Sequence, residues 1–478
     1  MARGQKTRQS YEYDTERMPL VGSHTNRFAA ATKDQIFYNV IPEAFKHPVT
    51  EQISIFLNKR GAFTAHTTLV AGAARGLYYW ERTSKTYAVI ANKLYAGTSQ
   101  TAIHTLTTST GTVWFSAVSG TTDYLILGDG TDLFTINTSD GVTDITDGDL
   151  PAGPLTPVSM DGYVFVAKSG TDEIWNSDLN VATSWVSTSF LSVEMYPDNL
   201  VALAKQTNYI AAFGNFSVEF FYDNANATGS PLKRAETLAI KVGLAARDSV
   251  AQIDRRILFV GQTQQGEPAI WMIDGLTPSQ ISNEFTDKIL ANEGANLSSA
   301  KASIIRHKGH TLYVLNLNAR TIVYDLGEKM WVDWSTNSSG EHAILPFNFY
   351  IQGANNSILC LHNTDGKIYT LVPGTYTDAA GAILVKIVTS KIDFGTTHQK
   401  RLFRLALLAD TESSGTVSVD WSDDDYATWS TARTLNLVTR PYTTSLGSFR
   451  RRAFRFQHST NAPFRAEMLE MDFSEGFN

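Results

Sequence analysis

Residues 124–136 read YLILGDGTDLFTI, an apolar run, a Gly-Asp-Gly turn and a second apolar run. Glycine supplies the positive φ that a tight hairpin needs, and the runs are too short for helices. The same plan recurs in six further stretches: YAVIANKLYAG from Tyr87, YVFVAKSGTDEIW from Tyr163, YIAAFGNFSVEFF from Tyr209, ILFVGQTQQGEPAIWMI from Ile257, LYVLNLNARTIVYDL from Leu312 and ILCLHNTDGKIYTL from Ile358. Successive starts lie roughly 40 to 50 residues apart, the period of propeller blades, whose small sheets stack radially because none can bury its faces alone. The chain is therefore expected to be all-β, with a β-propeller-like domain of repeated hairpins over residues 18–372. Seven hairpins do not fix the blade count, and unrelated hairpins in sandwiches are the competing reading.

The character of the sequence changes near residue 375, where KIVTSKIDF, RLFRLALLA, TVSVDWS, RAFRFQHS and AEMLEMDF alternate charged and apolar residues. Such alternation gives strands one wet and one packed face, so residues 373–478 are expected to form a C-terminal antiparallel β-sandwich. One interruption is helical: Phe285, Ile289 and Leu290 fall at helical spacing behind Asn283, a residue suited to cap the start. Residues 1–17 are polar and lack apolar periodicity, and are expected to be a flexible arm. Arg3, Lys6 and Arg8 in it are candidate contacts to an adjoining protein.

Composition narrows the function. Of 478 residues 43% are hydrophobic, 11% aromatic and only 18% charged, a balance that suits sheets better than helices. The 40 basic and 47 acidic side chains leave a net charge of −7, which disfavours a dedicated nucleic-acid binder. Cys360 is the single cysteine, so no intrachain disulfide is possible, and its SILCL setting marks it as core filler. With neither a signal-peptide pattern nor a long apolar run, the product is expected to be soluble and not membrane-spanning.

Catalytic signatures are missing: there is no Gly-x-Ser-x-Gly elbow, phosphate loop or dinucleotide fingerprint, and no catalytic residue, metal ligand or cofactor is assigned. His307 and His310 form an HxxH, but residues three apart in strand context are expected on opposite faces. SDDDYATW, residues 422–429, resembles the Asp-box hairpin of sialidase propellers through Ser422, Asp424 and Trp429, with Tyr426 in the glycine position. An Asp box is a structural turn, and Asp423, Asp424 and Asp425 are expected to be solvated rather than to bind Ca²⁺. FRRRAFRF, residues 449–456, interleaves Arg450, Arg451, Arg452 and Arg455 with aromatics. Either an interface strand pairing with a neighbour's carboxylates or a DNA-facing strand would use this pattern.

Several of these stretches together resemble the packaged-DNA stabilisation, or tail hub (nozzle), proteins of short-tailed bacteriophages. The resemblance begins with Gly22, Asn26, Arg27, Gln35, Asn39, Pro42 and Glu43. It continues through ARGLYYWE at 74–81, GNFSVEFFYD at 214–223, GEPAIWMIDGLTPSQIS from Gly266 and residues 309–334, and it ends in SDDDYATW and GSFRRRAFRFQHSTNAPF. It implies a structural virion protein, assembled in the host bacterial cytoplasm and not an enzyme. Six copies would form a ring beneath the portal, contacting the head-to-tail adaptor, tail fibre or spike and tail tip proteins. Genomic double-stranded DNA would pass through and be retained until ejection. A propeller-type glycan-active enzyme and a receptor-binding tail module are the alternatives.

Overall fold

The computed structural model describes residues 13–21, 35–46, 53–120, 122–196, 198–226, 228–379 and 381–476. The chain forms two compact units that are not collinear with the sequence. Phe63–Trp331 and Ile344–Val372 make one; Met1–Ala62, Val332–Ala343 and Pro373–Asn478 make the other.

The first of these is a propeller. Seven antiparallel ladders follow one another, six as sheets complete in themselves, with innermost strands Ala74–Trp80, Trp114–Val118, Pro154–Met160, Leu200–Gln206, Ala251–Ile253, Lys301–His307 and Phe347–Gln352. Each innermost strand neighbours the next, and the last neighbours the first, so the ring is closed. In the sixth ladder the outer strand, Met330–Trp334, carries the chain from one unit into the other. Each hairpin read from the sequence is the middle pair of strands of one blade.

Alternation along those middle strands explains their unbroken apolar character. Leu125 and Leu127 pack with Tyr87 and Val89 of the first blade, whereas Ile126 packs with Val164 and Val166 of the third. Both faces of the strand are thus core, and a polar residue on either would be desolvated. The seventh blade closes the ring by borrowing its outermost strand, Ala62–Thr68, from the chain ahead of the first blade. The amide of Leu69 donates to the Gly366 carbonyl at 2.8 Å and that of Ala74 to Asn363 at 2.9 Å. The expected helix is present as Glu284–Glu293, with the Asn283 side chain accepting from the Thr286 amide.

The other unit is an antiparallel sandwich that draws on both ends of the chain. One sheet runs Val40–Lys46, Ile53–Lys59, Arg465–Glu475, Lys400–Ala409 and Tyr442–Thr444; the second runs Ile36–Tyr38, Val385–Val388, Ala453–His458, Thr416–Ser422 and Arg433–Asn436. Residues 35–46 and 53–62, expected in the propeller, therefore lie with the C-terminal strands. The physical reason is a buried polar knot. Arg60, wholly buried, makes two bonds to Asp378 at 3.0 and 2.6 Å, one to Asn39 Oδ1 at 2.9 Å and one to the Ser335 carbonyl at 2.9 Å. Asn39, at φ 59°, also donates to Ser335 Oγ and the Leu384 carbonyl. One guanidinium so ties together all three chain segments of the unit, and its desolvation is compensated only when all are in place.

The expected arm also needs correction. Asp14–Pro19 is a strand paired with Met468–Phe473 in antiparallel register, and Arg17 bridges Glu470 at 2.8 Å. Arg3, Lys6 and Arg8 lie outside the described residues.

Candidate functional site

The four arginines of FRRRAFRF do not share the environment their sequence suggested. The chain bends at Arg450 and Arg451, and the strand proper begins only at Ala453, so simple alternation does not carry through the run. Arg452 is 1% exposed and grips Asp423 through both Nε and Nη2 at 2.7 Å, while Nη1 donates to the Leu446 carbonyl at 2.8 Å. Its guanidinium lies over Phe449 at 4.5 Å and Trp421 at 5.1 Å. Arg455 pairs with Asp420 and lies 4.2 Å over the Trp429 ring. The carboxylates that these two arginines meet therefore belong to their own chain, which removes Arg452 from any interface or DNA-facing role. Arg450 and Arg451 remain exposed, held by the Thr397 carbonyl at 2.9 Å and by Asp425 at 3.5 Å.

The acidic run is consumed by the same arrangement. Asp423 serves Arg452, Asp425 serves Lys391 at 2.9 Å, and Asp424 organises the turn. Asp424 accepts from the Thr428 amide at 2.9 Å, from the Thr428 hydroxyl and from Ser422, and these bonds hold its pKa down to about 2. The Asp-box turn is kept without its glycine. Tyr426 takes the left-handed backbone, φ 67°, while its ring is buried and its hydroxyl donates to the Thr389 carbonyl at 3.0 Å.

His307 and His310 are direct partners across a two-residue turn, with Lys308 at φ 48° and Gly309 at φ 90°. Cross-strand partners face the same side of a sheet, so the expectation of opposite faces fails because the turn falls between them. His310 is bound to Asp325 at 2.6 Å, and no group of three or more metal-ligating residues exists among the described residues.

A further site was not legible in the sequence. The innermost strands of all seven blades surround an axial cavity of about 570 Å³. In the second and sixth blades the inner-strand residues are mostly half-buried where those of the middle strands are mostly buried, because one side of each faces this space. In the fifth blade the inner strand is split, Gly243–Leu244 and Ala251–Ile253 both pairing with Arg256–Gln262 around a 3-10 turn, Arg247–Ser249. Ser249 is buried and anchors the turn, accepting from the Val260 amide at 2.9 Å and offering its carbonyl to Tyr313 at 2.9 Å. The anchor places Arg247 and Asp248 on the cavity wall.

There Asp248 accepts from the Thr112 hydroxyl and from Trp114 Nε1 at 3.2 Å, Lys301 donates to Thr112 Oγ1 at 2.8 Å, and Arg247 lies 5.7 Å over the Trp114 ring. Burial lowers the Lys301 pKa, with Asp248 opposing the shift. The polar ARDS segment between two short apolar pieces was the available signal, since Asp and Ser favour turns. Asp248 is the one carboxylate among the described residues lining this cavity, whereas glycoside hydrolysis ordinarily needs two.

The family model described as the β-propeller of bacteriophage P22 Gp10 matches residues 19–376. The chain belongs to this P22 Gp10 propeller family. A curated relative, the tail hub protein gp10 of Salmonella phage P22, is 23% identical over 164 residues, covering 33% of this chain and 34% of the relative. The match thus spans about a third of that protein's length. Among solved structures, virginiamycin B lyase from Staphylococcus aureus covers 66% of this chain and 98% of its own at 9% identity and a TM-score of 0.43. The N-terminal domain of Nup159 covers 70% and 98% at 10% identity and a TM-score of 0.38. Likenesses this distant transfer no activity to the P22 Gp10 family chain.

Proposed function

We propose that this chain is a structural subunit of a phage tail hub, a ring of six copies below the portal and adaptor that guides DNA and retains it until ejection. Membership of the P22 Gp10 propeller family over residues 19–376 carries this reading. Supporting it are the closed β scaffold, the absence of catalytic signatures and a net charge of −7, which limits adhesion to DNA in transit. Exposed Arg450 and Arg451, and the arm with Arg3, Lys6 and Arg8, are the proposed contacts to neighbouring subunits and to the adaptor.

The test is mass photometry of the purified chain alone and with its head-to-tail adaptor. A complex carrying six copies of the chain is expected, and Arg450→Glu with Arg451→Glu should weaken it without lowering the melting temperature. A chain that stays monomeric beside the adaptor would overturn the proposal.

A further inference from the structure

The axial cavity has a charge imbalance that a structural role leaves unused. Its volume, about 570 Å³, falls within the range of small-molecule sites. Lys205, Arg247 and Lys301 line it against the single carboxylate of Asp248, although the chain as a whole is acidic. That carboxylate is already occupied by Thr112 and Trp114, and no ion pair within 4.0 Å joins it to Arg247 or Lys301 among the described residues.

Arg247 Nε is buried with no hydrogen-bond partner. The Arg247 guanidinium as a whole makes no hydrogen bond to a described residue, so its other donors are left for a ligand in the cavity. Lys301 has three protons, of which Thr112 takes one, and its ammonium lies 4.7 Å over the Phe349 ring. Thr112, Asp248 and Trp114 link the two cations in one contiguous constellation, so an anion bound by one is held close to the other.

We propose that the axial cavity binds a small carboxylate-bearing ligand of the sugar-acid class, its carboxylate between Arg247 and Lys301. A planar carboxylate suits the guanidinium edge, while the fixed charge of Asp248 opposes a dianion such as phosphate more than a monoanion. The remaining wall joins the Tyr78 and Phe349 rings to Ser116, Ser303 and Asn348. Mixed aromatic and hydroxyl surface matches a sugar ring, which presents C–H faces and hydroxyls together.

The test is isothermal titration calorimetry of the full chain with glucuronate, glucose, inorganic phosphate and a tetrameric oligouronate. Glucuronate is expected to bind with Kd on the order of 1 mM or tighter, and glucose and phosphate about tenfold more weakly. Arg247→Gln should weaken glucuronate about tenfold at unchanged melting temperature, with Lys301→Gln as the second variant should the first not fold. A tetramer tighter than the monomer identifies a polysaccharide as the source, and equal affinity a free sugar acid. Glucose or phosphate binding as well as glucuronate, no binding of glucuronate, or a folded Arg247→Gln chain that binds normally would overturn the proposal. Binding is read whatever ring the chain forms, so its failure leaves the tail hub reading untouched.

Discussion

At the scale of single residues, side-chain chemistry is legible in sequence but partnership is not. Nothing in FRRRAFRF distinguishes Arg452 from Arg451, because their carboxylates, Asp423 and Asp425, lie in another strand's turn. Removing Arg452 would leave Asp423 without its buried partner. Arg452→Ala is expected to cost about 2–3 kcal/mol, below the value for a fully buried pair because Asp423 keeps 40% exposure. Arg451→Ala should cost less than about 0.5 kcal/mol. Urea unfolding midpoints compare the two, and equal losses would deny the distinction. Tyr426 teaches the same lesson differently. Its left-handed backbone costs about 1–2 kcal/mol, and burying the ring returns about 1.5–3 kcal/mol. Tyr426→Phe should lose about 1 kcal/mol with the bond to the Thr389 carbonyl. Tyr426→Gly should be no more stable than the native chain, since it relieves the backbone but forfeits the ring; a gain would show that strain outweighs burial.

At the scale of elements, the hairpins were readable because middle strands are core on both faces and so become apolar runs. The inner strands were not, since Trp114–Val118 and its counterparts face a cavity and mix small, polar and aromatic residues. Outer strands such as His104–Thr105 and Val142–Asp144 are too short to leave a pattern. Least visible was the closure by Ala62–Thr68, which depends on a pairing some 300 residues away in sequence. Phe63 packs there on Phe347 at 4.8 Å between ring centroids. Phe63→Ala is expected to cost about 3–5 kcal/mol. Hydrogen exchange should accelerate in Phe347–Gln352 and Lys367–Val372 before Tyr163–Lys168, because the ring opens at its one non-covalent seam. Gly366 tests the seam from the other side: at φ 73° a Cβ would collide with the Val70 carbonyl, so Gly366→Ala should open the same strands. Uniform exchange across all blades would refute the seam.

At the scale of the whole molecule, the C-terminal sandwich was legible as alternation, whereas its recruitment of residues 35–46 and 53–62 was not, because it rests on Arg60 meeting Asp378. The same long-range burial sets how the chain responds to acid. Burial lowers His307 from 6.5 to about 4, and His342 likewise to about 4. His458 falls to about 3, by burial and then by Lys59, whose Nζ lies 3.3 Å from its Nδ1. These rings lie in both units, and the folded chain keeps them neutral while the unfolded chain takes up protons below pH 6.5. Their contribution is complete above that pH and is lost as pH falls towards 4, by at most about 1.4 kcal/mol per pH unit for each histidine. The melting temperature should therefore fall steeply between pH 6 and 4 at fixed ionic strength. His458→Gln, which keeps an acceptor for Lys59 but cannot be protonated, should shorten that fall. A melting temperature that stays flat from pH 7 to 4, or a variant that declines in parallel with the native chain, would mean that these rings reach water or an acidic partner in the folded state.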